Sequence, residues 1–244
     1  MKTITLNATV TASNDRDADA LRARLRQAGT LLINVMSSPG AGKTTLLSRL
    51  IQELDGLRIA VMEADIESDV DAKRIEALGA QAIQVHTSGM CHMDAGMTKA
   101  ALDELQQNLP CSQGRGTGRE AGGGVKGGGG GCPDFDLIFL ENVGNLICPA
   151  EYDTGAGLNL MLLSVPEGDD KPLKYPLMFQ KSDALVITKT DTQGYFNFDL
   201  SKCGERARKL NPTIRIFPVS AKTGEGMDKL EAWLKQQIDE YRKK

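Results

Sequence analysis

The sequence predicts an α/β fold, a mostly parallel sheet flanked by helices on both faces, from three observations. Short runs rich in Ile, Val and Leu recur at 31–36, 58–63, 81–86, 136–141, 184–189 and 214–219. Continuous apolar runs of that length suit strands buried on both faces, as parallel strands are. Segments of helical period alternate with them at 43–54, 70–78, 94–109, 200–210 and 226–241, the pattern of strand-helix-strand crossovers. The polar motifs of the chain also fall at the carboxyl ends of these strands, where ligands sit in open α/β sheets.

Taken in order, residues 1–30 read as an N-terminal extension, in which 15–27 form a short charged helix with Leu21 and Leu25 four apart. The remaining 31–244 are enough to bury a core as one domain. The first strand, 31–36, leads through a glycine-containing loop into the helix at 43–54. Strand 58–63, helix 70–78, strand 81–86 and helix 94–109 follow, with His86 expected as a core or edge histidine. Residues 112–131 differ in kind, with Gly114, Gly116, Gly118, Gly122–Gly124 and Gly127–Gly131 and almost nothing apolar. Such a segment cannot bury enough surface to offset its ordering entropy, so it reads as a flexible insertion. Cys111 and Cys132 flank it, but so long a glycine tether fixes no geometry for a metal or redox pair. Strands 136–141, 184–189 and 214–219 and helices 200–210 and 226–241 complete the domain.

Composition narrows the function. A net charge of −3 leaves no basic excess of the kind that drives nucleic-acid binding. No run of 18 apolar residues could span a bilayer, and residues 1–10 lack the pattern of a signal peptide. Five cysteines without regular spacing fit a reducing compartment, so a cytoplasmic location is expected.

The stretch Ser37-Ser38-Pro39-Gly40-Ala41-Gly42-Lys43-Thr44 has the context of a phosphate-binding loop, after a strand and before a helix. Backbone N–H groups and the positive end of the helix cradle nucleotide phosphates in such a loop. Lys43 would reach the β- and γ-phosphates and Thr44 would ligate Mg²⁺. Ser37 takes the place of the usual first glycine, while Gly40 and Gly42 supply permissive dihedrals nearest the phosphates. Glu141, ending the strand 136–141, is placed to hold the magnesium shell, and the Gly144 N–H to meet the γ-phosphate. Asp65 is a second candidate for magnesium, with Asp69 and Asp71 competing for the N-cap role that is its alternative.

Thr188-Lys189-Thr190-Asp191 is similar to the guanine-reading Asn-Lys-x-Asp of GTPases. The Asp191 carboxylate can accept from guanine N1–H and its exocyclic amine, whereas adenine would leave it unpaired at a cost of roughly 1 to 3 kcal/mol or more. The stem of Lys189 would lie across the base. Val219-Ser220-Ala221-Lys222 matches the loop that contacts guanine O6 in these proteins. Cys91-His92, at a strand end before a helix, suits a borderline cation such as Ni²⁺ or Zn²⁺, and Cys148, four residues beyond Gly144, is the third candidate ligand. Cys203 reads as a buried, inert thiol.

Together the S-S-P-G-A-G-K-T loop, Asp71-Ala72-Lys73-Arg74-Ile75, Gly-x-x-Cys-His-Met-Asp, E-N-V-G-N-L-I-C-P and T-K-T-D resemble the hydrogenase nickel-incorporation GTPases, the HypB family, from roughly Leu31 to Tyr241 apart from the glycine insertion. The resemblance implies a single P-loop GTPase domain that forms a homodimer promoted by GTP. It also implies GTP/GDP and Mg²⁺ as ligands, and a nickel-carrier accessory protein and the hydrogenase large subunit as partners. It carries the metal ligands onto Cys91, His92 and Cys148, the phosphate contacts onto Gly40, Ala41, Gly42, Lys43, Thr44 and Thr45, and the guanine contacts onto Asp191, Ala221 and Lys222. Some members have an N-terminal Cys-x-x-Cys-x-Cys or a histidine-rich stretch; here the first cysteine is Cys91 and the only histidines are His86 and His92. Tyr152-Asp153-Thr154-Gly155 stands where Phe-Asp-Leu-Gly is usual. Two other readings are the urease-type nickel accessory GTPase, which would show Cys-Pro-His, and a metal-binding interaction module with weak nucleotide hydrolysis.

Overall fold

The computed structural model describes residues 7–64, 69–87, 89–107 and 135–243. Asp65, Cys111, Cys132, the glycine-rich 112–131 and the side chains of Asp69 and Asp71 lie outside that description. In chain order the elements are α1 (Asn7–Ala28), β1 (Leu31–Ser37), α2 (Lys43–Glu53), β2 (Ile59–Glu63), α3 (Asp69–Ala77), β3 (Gln81–Gln84), α4 (Ala95–Gln107) and β4 (Leu137–Glu141). They continue with α5 (Cys148–Glu151), β5 (Leu158–Ser164), α6 (Lys171–Lys174), α7 (Pro176–Lys181), β6 (Ala184–Thr188), α8 (Leu200–Leu210), β7 (Arg215–Pro218) and α9 (Met227–Lys243). Short 3-10 turns lie at Val165–Glu167 and Thr190–Tyr195.

The sheet is ordered β3-β2-β4-β1-β5-β6-β7, and every described strand pair is parallel. The chain builds leftward from β1 and then crosses to β5, so the switch point of the topology lies where β1 meets β5. A ligand crevice is expected at the carboxyl ends of strands at such a point.

Three sequence expectations need correction. β5 was not among the apolar runs, yet it pairs with both β1 and β6. Its Leu-Asn-Leu-Met-Leu-Leu-Ser contains no β-branched residue, so local preference does not favour a strand, and two ladders with burial at its centre override it. Helix α1 begins at Asn7 rather than 15, and its Leu21 and Leu25 are core residues at 3% and 2% exposure. His86 is exposed and lies beyond the end of β3 instead of inside a strand.

Alternation along β1 divides the core. Leu31, Ile33 and Val35 face a cluster completed by α2, α3 and α9, through residues such as Leu46, Ile75 and Leu234. Leu32 faces a second cluster with α1 and α4, and Met36 a third that includes Phe179 of α7 and Cys203 of α8. Fully burying an aliphatic side chain of this kind contributes about 1.5–3 kcal/mol. Burial also pushes the Cys203 thiol up to about 12, which keeps it protonated and inert. No helix among the described residues is long and apolar enough to cross a membrane.

Candidate nucleotide site and metal centre

The loop after β1 is shaped for a polyanion. Gly40 and Gly42 have φ of +74° and +96°, left-handed values that turn the backbone as α2 begins and that side-chain-bearing residues rarely adopt. Lys43 is 7% exposed and its Nζ donates to Ser37 Oγ at 3.1 Å, which parks the ammonium over its own loop. Behind the loop, buried Thr188 at the end of β6 donates from Oγ1 to the Ala41 carbonyl at 2.6 Å. Ser38 Oγ donates to Glu167, whose other carboxylate oxygen accepts from Ser164 N and Oγ at 2.7 Å each. Glu167 thus ties the loop to the end of β5 at the switch point.

A cleft of about 550 Å³ opens on this loop. Its lining includes Gly40, Gly42, Lys43, Thr44 and Thr45 of the loop and α2, together with Glu141, Gly144 and Lys189 from the ends of β4 and β6. A larger hollow of about 880 Å³ lies between β7 and α9, towards the opposite end of the strands, and holds none of these groups. Glu141 is 4% exposed and faces Thr44, with Thr44 Oγ1 to Glu141 Oε1 at 3.4 Å. A hydroxyl and a carboxylate so placed, at a helix start, suit a hard cation with a phosphate neighbour. Asp65 lies outside the described residues. Gly144 abuts the phosphate loop: a Cβ there would sit 3.0–3.2 Å from Pro39.

The residues expected to read guanine gather at the ends of β6 and β7. Lys189, at φ +59°, donates from Nζ to the Gly40 carbonyl at 2.7 Å, and its stem runs along the loop. Asp191 is exposed and its Oδ1 accepts from Ser220 Oγ at 2.7 Å, leaving the other oxygen to face solvent or a base. Thr190 N–H donates to the Val219 carbonyl at 3.2 Å, so the turn with Asp191 and the loop with Ala221 and Lys222 are held together.

The metal candidates also come together. One potential ligand atom each of Cys91, His92 and Cys148 lies within 4.8 Å of the others. A tetrahedral ion with sulfur ligands at about 2.3 Å would separate them by roughly 3.8 Å, so little contraction is needed. Sheet order explains the meeting, because β4, which leads to Cys148, lies beside β2, whose other neighbour β3 leads to Cys91. His92 Nδ1 is 3.8 Å from Cys91 Sγ, and Nε2 is buried with no hydrogen-bond partner among the described residues. Burial pushes the imidazole below its ordinary pKa, against the pull of Asp94 and Glu151, which favours the neutral form that binds a metal. The Cys148 thiol is raised, first by its hydrogen bond with Cys91 and then by burial. Two soft donors and an imidazole suit nickel or zinc, and three ligands leave a coordination position open for exchange.

A model of the CobW/HypB/UreG nucleotide-binding domain matches residues 31–218. The chain belongs to the CobW/HypB/UreG family. It is 40% identical over 235 residues to the hydrogenase/urease maturation factor HypB of Helicobacter hepaticus, covering 96% of this chain and 88% of that one. The crystal structure of Helicobacter pylori HypB in complex with nickel superposes with a TM-score of 0.80 at 36% identity, over 93% of this chain and 96% of that one. HypB from Archaeoglobus fulgidus gives 0.78 at 31% identity, over 93% and 99%. The family is one of P-loop GTPases, and the fold described above is theirs.

Two site residues escaped the sequence reading. Tyr152 stacks on His92, with ring centroids 3.8 Å apart and planes at 14°, and so sets the imidazole plane. Its signals were its place shortly after Cys148 and an aromatic position that the resembling family also fills, with Phe. Glu167 had none, since its target Ser38 is remote in sequence and reached only through β5.

Proposed function

We propose that the chain is a GTP-hydrolysing metallochaperone that assists nickel insertion during maturation of NiFe hydrogenase, with nucleotide-gated dimerisation and metal transfer. One observation carries this reading: Cys148, in contact range of Cys91 and His92, lies on the same short loop as Gly144, which rests on the phosphate loop. A loop that responds to the γ-phosphate then carries a metal ligand with it.

In this account the backbone from Gly40 to Thr45 and the Lys43 ammonium hold the phosphates, and Asp191 with the Ala221–Lys222 loop selects guanine. Thr44 and Glu141, with Asp65 as the further candidate from the sequence, would hold Mg²⁺, which when bound offsets phosphate charge. The Gly144 N–H meets the γ-phosphate; after hydrolysis that contact is gone and the loop to Cys148 relaxes, so the nickel or zinc ion can exchange. No glutamine or arginine lines the described cleft, so water is poorly positioned and turnover is slow. Met90 and Ile147, each next to a metal ligand, are exposed at 40% and 56%, and Tyr195 and Phe196 at 87% and 45% beside the guanine turn. Apolar side chains so placed suit a second copy closing across the nucleotide face. A nickel-carrier accessory protein and the hydrogenase large subunit are the proposed partners, in the cytoplasm.

A role in urease maturation is a second reading, favoured by the Helicobacter hepaticus relative whose name joins both enzymes. Nickel transfer to the apo large subunit, compared with the same transfer by Lys43→Ala, tests the proposal. Transfer should collapse with nucleotide binding. Unchanged transfer would favour a metal-binding module whose nucleotide site is idle.

A further inference from the structure

Three asparagines that neither the phosphate nor the metal chemistry uses lie in line across the centre of the sheet. Asn34 and Asn142 are 2% and 1% exposed, too deep for bulk water to satisfy their amides. Each amide is paired with the next instead. Asn159 Nδ2 donates to the Lys181 carbonyl at 3.2 Å, Asn34 Nδ2 to Asn159 Oδ1 at 3.0 Å, and Asn142 Nδ2 to Asn34 Oδ1 at 3.0 Å. Asn142 Oδ1 ends the chain by accepting the backbone N–H groups of Val143 at 2.9 Å and Met93 at 3.1 Å. Both ends fix the direction, because a carbonyl can only accept and an N–H can only donate. Turning one amide over would set two acceptors or two donors face to face, so the row has one favourable orientation.

Asn142 is where this row meets both functional loops. It directly follows Glu141 and stands two residues before Gly144, while Met93, whose N–H it holds, directly follows His92. We propose that Asn142 is the positioning residue that couples the nucleotide state to the metal centre, a role that rests on the metal-switch reading above. A shift of Gly144 against Pro39 moves Val143 and Asn142 relative to a fixed point, Asn34 in the central strand. The Met93 N–H must follow Oδ1 or lose a buried hydrogen bond, and His92 moves with it. Cys148 responds through the other end of the same loop, so two ligands are steered from one hinge.

Nickel titration of the native protein and of Asn142→Ala, each with GDP and with a non-hydrolysable GTP analogue, tests this role. The two native forms should differ in nickel affinity by roughly 5- to 150-fold, the usual range for coupled sites. In Asn142→Ala the ratio should fall to about twofold or less while both nickel and nucleotide still bind. A native ratio of one overturns the metal-switch reading and this role with it; a native ratio preserved in Asn142→Ala overturns the role of Asn142 alone. Hydrogen exchange on the metal-free native protein serves if the variant does not fold. The Met93 amide should exchange at different rates in the two nucleotide forms, and equal rates overturn the proposal.

Discussion

Replacing Gly144 with alanine probes the contact through which the γ-phosphate is proposed to be sensed. An ideal Cβ at this position lies 3.0 Å from Pro39 Cγ, 3.1 Å from Pro39 N and 3.2 Å from Pro39 Cα. Ordinary carbon contacts are about 3.5–4.0 Å, so the two loops must part by a few tenths of an ångström. Two of the three atoms are backbone and the third belongs to a rigid ring, so neither loop yields easily. Gly144 has no left-handed φ, and the effect is therefore one of contact and not of backbone strain. Overpacking of this kind costs about 1–3 kcal/mol. With GDP the 144 loop can relieve the clash by moving away. With a γ-phosphate it must come in, and its N–H stands to lose a charged acceptor worth about 1.5–3 kcal/mol. Affinity for a non-hydrolysable GTP analogue should fall by about 10- to 100-fold, and affinity for GDP by no more than about threefold. Competition titration with fluorescent nucleotides measures both. Equal losses for the two nucleotides, or no loss, would refute the sensing role of Gly144.

Three further outcomes follow from the same geometry. Asp191→Asn should reduce the preference for GTP over ATP by about 10- to 100-fold in a nucleotide competition assay, because the carboxylate proposed to accept two guanine N–H groups is gone. Tyr152→Ala should weaken nickel binding by about 2- to 10-fold in both nucleotide forms through loss of the stack on His92, while Tyr152→Phe keeps it. Nickel affinity should rise with pH between about 6.5 and 8.5, by up to about tenfold per unit for each proton released, since Cys148 must lose a proton held above its ordinary value. Burial lowers the His92 pKa, so its imidazole contributes less to this rise than an unperturbed histidine would. A flat profile in titrations with a competing chelator would contradict ligation by the Cys148 thiolate.

Much of this was legible in residue order, and the exceptions share a cause. Six of the strands and the phosphate loop announced themselves through local patterns, as did the guanine motif, because each is a contiguous run with its own chemistry. Strand β5 did not, since Leu, Met and Asn carry no local strand signal and only its two neighbours make it one. Cys91 and His92 were visible as an adjacent pair. Cys148 joins them through the placement of β4 beside β2, which spacing in the sequence does not reveal. Asn34 offered a hint, a lone amide inside an apolar strand, for which a buried partner is required. That its partners would be Asn142 and Asn159 depended on strand register. The Glu167 contact with Ser38 had no sequence signal at all.

The central claim is that one loop reports the γ-phosphate and carries a metal ligand. Its most direct test is the nickel affinity of the native protein loaded with GDP and with a non-hydrolysable GTP analogue, with Cys148→Ala measured alongside. The account predicts clearly different affinities for the two native forms, and weak binding that no longer depends on nucleotide in Cys148→Ala. Equal affinities in the native protein would contradict it.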